Sequence, residues 1–151
     1  MKTRILASLA IVSLAASASA QDTTQEATYG TISLEAGFVP DPNETSLMAG
    51  GSVTVTEVGC AGNVAAAPNL ELTFTGGENP LHFYVTSDSD TTLVVNGPDG
   101  EWYCSDDENG YNPAVAFEPG LSGVYDIWVG TYDSGAHVPA TLHITELDPQ
   151  W

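Results

Sequence analysis

The stretch Tyr125-Asp-Ile-Trp-Val129 decides the fold class, because large apolar residues at 125, 127 and 129 alternate with Asp126 and Trp128. A period of two places these two sets of side chains on opposite faces of a β-strand. Similar short segments recur outward from it, broken by Gly, Pro, Asn and Asp, over residues 31–34, 53–56, 70–74, 81–86, 93–95, 115–117 and 141–145. No window carries a capped helical stripe. We therefore expect an all-β fold, an antiparallel, jelly-roll-like β-sandwich of about eight strands.

The N-terminal segment has the features of an export signal. Lys2 and Arg4 precede an apolar run over residues 5–14, and Ala18-Ser-Ala20 supplies small residues for cleavage. The run is too short to span a bilayer, and no later segment is apolar enough, so we expect no membrane insertion. The expected organisation is a signal peptide over 1–20, a polar lead over 21–28, the sandwich over 29–147 and a tail over 148–151. The protein is predicted to be secreted or periplasmic.

The charge balance of the exported part is extreme. The 151 residues contain 20 Asp and Glu against 2 Lys and Arg, and both basic residues lie in the signal segment. A chain without cationic side chains cannot displace the counterions of nucleic acids, nor dock electrostatically on anionic lipid. Monovalent salt, divalent cations, the three His residues or a basic partner must balance its carboxylates.

Cys60 and Cys104 are the two cysteines of the chain. In a short exported protein, two cysteines predict one disulfide. A reactive thiol is the alternative, but Asp106, Asp107 and Glu108 would raise the pKa of the Cys104 thiol and so oppose its ionisation.

Acidic residues are concentrated between Asp88 and Asn109, where seven of them fall within 22 positions. Carboxylate and amide oxygens on turns are the ligands that calcium prefers, although residues 106–110 do not follow the EF-hand pattern. A calcium site is one interpretation, and a solvated acidic edge is the other. The candidate ligands are Asp88, Asp90, Asp99, Asp106, Asp107 and Asn109. His82, His137 and His143 lack the spacing of zinc ligands, and strand alternation places His82 and His143 on the surface.

Several aromatic residues accompany the acidic region. Trp102, Tyr111 and Trp128 are candidates for a platform that binds sugars or peptides. The alternative is that these rings cover a sheet face or pack beneath a long loop.

No motif indicates nucleophilic catalysis. Residues 120–123 lack the Gly-x-Ser-x-Gly elbow, and a triad cannot be assembled around Ser134 and His137 in so small a sandwich. We therefore expect no catalytic residues and no enzyme activity. Two alternatives stay open: a small hydrolase that uses a carboxylate pair, and a surface protein whose acidic faces are bridged by divalent ions.

The segments over residues 90–107, 112–113 and 122–132, with Gly37-Phe-Val-Pro-Asp-Pro42 and Cys60 upstream, resemble the bacterial pre-peptidase C-terminal domain family. The resemblance covers most of residues 29–147 and implies a jelly-roll-like sandwich without catalytic activity. Some members of that family bind calcium or matrix polymers, which implies Asp90, Asp106 and Asp107 as metal-facing positions. We expect a standalone secreted member of that family, which departs from the usual arrangement in which a peptidase domain precedes the sandwich.

Together these observations predict a secreted accessory module that binds an extracellular polymer or protein, with calcium as the candidate cofactor of its acidic region.

Overall fold

The computed structural model describes residues 21–151, so the predicted signal peptide over 1–20 lies outside the described residues. Within residues 21–151, eleven strands follow one another, with a single 3₁₀ turn at Thr56–Val58. They are β1 (Thr31–Glu35), β2 (Asn43–Gly50), β3 (Val53–Thr54), β4 (Asn63–Val64), β5 (Leu70–Thr75), β6 (Leu81–Thr86), β7 (Thr91–Asn96), β8 (Trp102–Ser105), β9 (Ala114–Phe117), β10 (Gly123–Thr131) and β11 (His137–Thr145). The predicted all-β class is confirmed, although the number of strands is larger than the expected eight.

Two sheets form the sandwich. The seven-stranded sheet is organised around β10, which pairs with β5 through residues 123–127 and with β7 through residues 126–131. Strand β1 extends it beyond β5 in parallel, β8 extends it beyond β7, and the short strands β4 and β3 continue from the end of β10. The four-stranded sheet has the order β2-β11-β6-β9 and is antiparallel throughout.

The main core lies between the two sheets and is built by the alternating apolar positions. Tyr125, Ile127 and Val129 of β10 face this core and are fully buried, as the alternation predicts. They pack with Leu72 of β5 in the same sheet and with Phe83 of β6 and Leu142 of β11 in the facing sheet. These interdigitating side chains provide the main hydrophobic stabilisation.

A second, smaller core covers part of the outer face of the seven-stranded sheet. Val94 and Trp128 point away from the main core, and residues 53–66 fold over them with Val53, Val55 and Val64. The Cys60–Cys104 disulfide ties this cover to β8, with the two Cα atoms 5.8 Å apart. The predicted disulfide is therefore present, and it links a loop-rich segment to the sheet.

The residues flanking the strands are held by backbone hydrogen bonds and ring contacts. In the lead over 21–28, Asp22 N–H donates to Ala66 O and Thr28 N–H donates to Pro68 O, both at 2.9 Å. At the other end of the chain, the Trp151 ring packs edge-on against Tyr84 with a centroid distance of 5.2 Å. Within residues 21–151 no helix is long and apolar enough to cross a membrane.

Candidate functional site

The β7–β8 hairpin separates the predicted calcium ligands into two groups. Asp90 lies just before β7 and Asp106 just after β8, so antiparallel pairing brings them to the same end of the hairpin. Asp99 lies in the turn at the opposite end. Its carboxylate accepts hydrogen bonds from the Tyr103 hydroxyl at 2.6 Å and from the Glu101 N–H at 3.1 Å. These bonds lower the pKa of Asp99 and make it part of the turn. Asp99 therefore lies apart from the other candidate ligands, and the structure does not bring it together with them.

Asp133, which follows the C-terminal end of β10, joins the acidic residues at the Asp90 end of the hairpin. Tyr132 N–H donates to the Asp90 carbonyl at 3.3 Å, which places Asp133 beside Asp90, Asp106 and Asp107. Burial raises the pKa of Asp90, and the carboxylates of Asp107, Asp106 and Asp133 raise it further. The Asp90 Oδ1 atom is buried and accepts no hydrogen bond. Sequence reasoning missed Asp133 as a member of this group, because it lies 26 positions from the nearest other member.

A compact loop follows Asp107 and closes over the end of β7. Asn112 O accepts from the N–H groups of Glu108 and Asn109, and Asn112 Oδ1 accepts from Ser87 N–H at 3.1 Å. Asp88 and Asn109 remain exposed on this surface. Within residues 21–151, no three His, Cys, Asp or Glu side chains converge closely enough to hold a metal ion. The carboxylates are thus gathered at one end of the sandwich without forming a closed cage.

The three platform candidates do not form one surface. Trp128 is 0% exposed, its Nε1–H donates to Ala66 O at 3.4 Å, and its ring packs on Trp102 at a centroid distance of 5.4 Å. Trp102 pairs with Asn96 at one end of β7, whereas Tyr111 lies over Thr91 at the other. The expectation that Trp128 offers a ring face to a ligand was wrong, since residues 53–66 cover it.

Two exposed tyrosines instead flank the acidic residues. Tyr111 is 66% exposed and its carbonyl accepts from Thr91 N–H, while Tyr132 is 55% exposed and its N–H donates to Asp90 O. We call Asp90, Asp106, Asp107, Tyr111, Tyr132 and Asp133 the acidic end. It combines negative charge with aromatic surface, as protein-binding sites for cationic groups do.

One histidine, His143, is placed differently from the expectation. His143 points outward from β11 but is only 8% exposed, because its ring stacks on Tyr84 at a centroid distance of 4.3 Å. Its Nε2 lies 2.9 Å from the Thr86 Oγ1, and its Nδ1 lies 3.2 Å from a Glu44 carboxylate oxygen without hydrogen-bond alignment. Burial lowers the pKa of His143, and Glu44 partly offsets that effect. The prediction that His143 is a surface residue was wrong.

The Asp133-Ser-Gly135 segment is a turn. The Thr131 hydroxyl donates to Asp133 O at 2.8 Å, and Ser134 and His137 are both exposed. Ser134 thus lies in the exposed turn between β10 and β11.

The fold defines a class, a disulfide-bonded two-sheet β-sandwich with a strongly acidic surface. No family model matches the chain, and no curated protein matches it. Among solved structures, the chain is similar to the crystal structure of Aeromonas hydrophila PliG, a periplasmic lysozyme inhibitor of g-type lysozyme. The sequence identity is 17%, the match covers 76% of this chain and 96% of that one, and the TM-score is 0.40.

Proposed function

We propose that this protein is an exported, non-catalytic binding module that engages a cationic partner through the acidic end. The observation that carries the proposal is the charge asymmetry: residues 21–151 hold 20 Asp and Glu and no Lys or Arg. Within the described residues, the one contact between a basic side chain and a carboxylate is that of His143 with Glu44, and burial lowers the pKa of that imidazole. The carboxylates of the acidic end thus have no internal counter-charge, and a basic partner supplies one.

The acidic end has the chemistry for such a partner. Tyr111 and Tyr132 supply rigid aromatic surface beside carboxylates, a combination that receives Lys and Arg side chains by charge and by cation–π contact. Export is supported by the disulfide, which persists in oxidising compartments. Membership of the pre-peptidase C-terminal domain family belongs to the same proposal, and the two-sheet sandwich agrees with it.

The test measures binding of a deca-arginine peptide and of a panel of basic exported proteins by calorimetry. Asp106→Asn/Asp107→Asn/Asp133→Asn should weaken binding about tenfold, since each exposed charge contributes up to about 1 kcal/mol. The matched control, Glu35→Gln/Glu78→Gln/Glu118→Gln, removes the same charge from exposed positions at the opposite end and should have a much smaller effect. Equal losses in the two triple variants would refute the acidic end as the binding surface. A g-type lysozyme is included in the panel, and its inhibition would identify the partner directly.

Calcium stabilisation is the second part of the proposal. The Asp90 Oδ1 atom is buried without a hydrogen-bond donor, and the hard oxygens of Asp106, Asp107 and Asp133 lie around it. This donor set fits calcium chemically. Because the carboxylates do not yet converge, binding requires the segment after β8 to draw closer to Asp90.

A melting experiment tests this second part. Millimolar Ca²⁺ should raise the melting temperature beyond Mg²⁺ or NaCl at matched ionic strength, because ligands that bind only the folded state stabilise it. Asp90→Asn/Asp107→Asn should reduce the difference between Ca²⁺ and NaCl while leaving the NaCl response. Equal responses of the unmodified protein to all three salts would show that the acidic end is a solvated surface.

A further inference from the structure

A row of polar side chains crosses the outer face of the seven-stranded sheet, away from the acidic end. Asp126 of β10 lies directly opposite Glu71 of β5 on one side and Asn96 of β7 on the other. Thr31 of β1 lies opposite Glu71, and Trp102 of β8 lies opposite Asn96. Residues opposite one another on neighbouring strands share a face and lie about 5 Å apart, so these five side chains form one line.

Asp126 is the buried member of this row. The residue is 8% exposed, and its Oδ1 atom is buried without a hydrogen-bond partner. A buried polar oxygen normally accepts at least one hydrogen bond, so this atom needs an explanation.

None of the neighbouring side chains in the row donates a hydrogen bond to the Asp126 carboxylate. The Asn96 amide N–H₂ already donates to the carbonyls of Gly100 and Glu101, each at 3.3 Å, which leaves its oxygen as a further acceptor. The Thr31 hydroxyl donates to Glu71 Oε1 at 3.3 Å. The neighbours of Asp126 across both strands are therefore a carboxylate and an amide that is already fully engaged as a donor.

Glu71 is the charged group that faces Asp126. The positions two residues away along the three strands are all uncharged: Asn69, Thr73, Val94, Pro98, Val124 and Trp128. Like charges directly opposite one another on neighbouring strands destabilise the folded state. Burial of an unpaired, ionised carboxylate destabilises it further. Burial raises the pKa of Asp126 to about 6, and the Glu71 carboxylate contributes to the shift. The site favours a positive charge that the chain itself does not provide.

We infer that Asp126 and Glu71 form a binding site for a hydrated divalent cation, with the Asn96 amide oxygen as a third hard ligand. Two carboxylates on adjacent strands, one of them an unpartnered buried oxygen, match the way hard cations are held by one or two carboxylates and several waters. Glu71 and Asn96, on either side of Asp126, are both partly exposed, so water that reaches them can complete the coordination. It is distinct from the acidic end and does not depend on the proposed partner.

Tryptophan-sensitised Tb³⁺ luminescence tests the inference, with Tb³⁺ as a hard-cation probe and Ca²⁺ as competitor. Trp128 lies two residues from Asp126 on the same face of β10, and Trp102 lies in the row, so an ion at this site has indole donors nearby. Excitation of the tryptophans should produce Tb³⁺ emission that Ca²⁺ displaces. Asp126→Asn should reduce the affinity at least tenfold, and Glu71→Gln should reduce it severalfold.

Two controls keep the outcome interpretable. Asp90→Asn/Asp107→Asn, which alters the acidic end, should leave the sensitised emission in place. Circular dichroism should show that Asp126→Asn is folded, and Glu71→Gln provides a second variant at a less buried position. Unchanged emission in Asp126→Asn, or emission lost only in the acidic-end variant, would overturn the inference. Absence of emission in the unmodified protein would overturn it as well, and would leave Asp126 as a site for a proton alone.

Discussion

Replacing Asp126 with Asn should stabilise the protein at neutral pH in the absence of divalent cations. The pKa of Asp126 is raised in the folded protein from 3.8 to about 6, first by burial and then by Glu71. Each pKa unit corresponds to about 1.4 kcal/mol, so the ionised carboxylate destabilises the folded state by up to about 3 kcal/mol at pH 7. Asn keeps the shape and removes the charge. For a domain of this size the gain corresponds to a melting temperature higher by about 10 °C.

The pH dependence of this gain has a defined sign. Between pH 3.8 and about 6 the folded state binds more protons at Asp126 than the unfolded state does, so the stability that this residue contributes falls as pH rises. The advantage of Asp126→Asn should therefore be full above pH 6 and vanish near pH 4. Other carboxylates titrate in both proteins, so the difference between them isolates Asp126.

Urea unfolding in EDTA at several pH values between 4 and 7.5 measures the effect. Glu57→Gln is the matched control, because it removes one charge at an exposed position and should change the free energy of unfolding by less than about 0.5 kcal/mol. A gain that is absent at pH 7, or one that stays constant down to pH 4, would refute the reasoning. Saturating divalent cation should shrink the gain if the ion binds at Asp126.

Four further outcomes are expected. Intact-mass measurement of exported protein should give Gln21 as the first residue, whereas retention of the first 20 residues would contradict the predicted signal peptide. Thiol titration of unreduced, denatured protein should find no free thiol, and Cys60→Ser/Cys104→Ser should lower the free energy of unfolding by about 3–4 kcal/mol. Trp128→Ala should cost about 3–5 kcal/mol in urea unfolding, because it empties the centre of the smaller core; a cost below 1 kcal/mol would contradict its burial. His143 should titrate below 6.5 by NMR, and its burial as the neutral imidazole should lower stability as pH falls through that range; a pKa above 6.5 would contradict this account.

Strands with strong alternation were predictable, and those without it were not. Residues 70–74 and 81–86 have buried apolar positions at every second place, and both form central strands. Strand β2 was missed, because Asn43–Gly50 contains no β-branched apolar residue and buries little besides Leu47 and Ala49. It forms because eight consecutive residues pair with β11, which is a property of the neighbouring strand.

The sequence by itself determined the β class, the disulfide and the lack of any cationic side chain after the first four residues. Each depends on local pattern or on composition. Tertiary structure alone decided which carboxylates meet: Asp133 joins Asp90, Asp99 is separated from it by the length of β7, and Asp126 faces Glu71. These contacts between carboxylates depend on strand order and register, which are set by packing between residues far apart in the chain. The spacing of acidic residues along the sequence therefore does not predict which carboxylates meet.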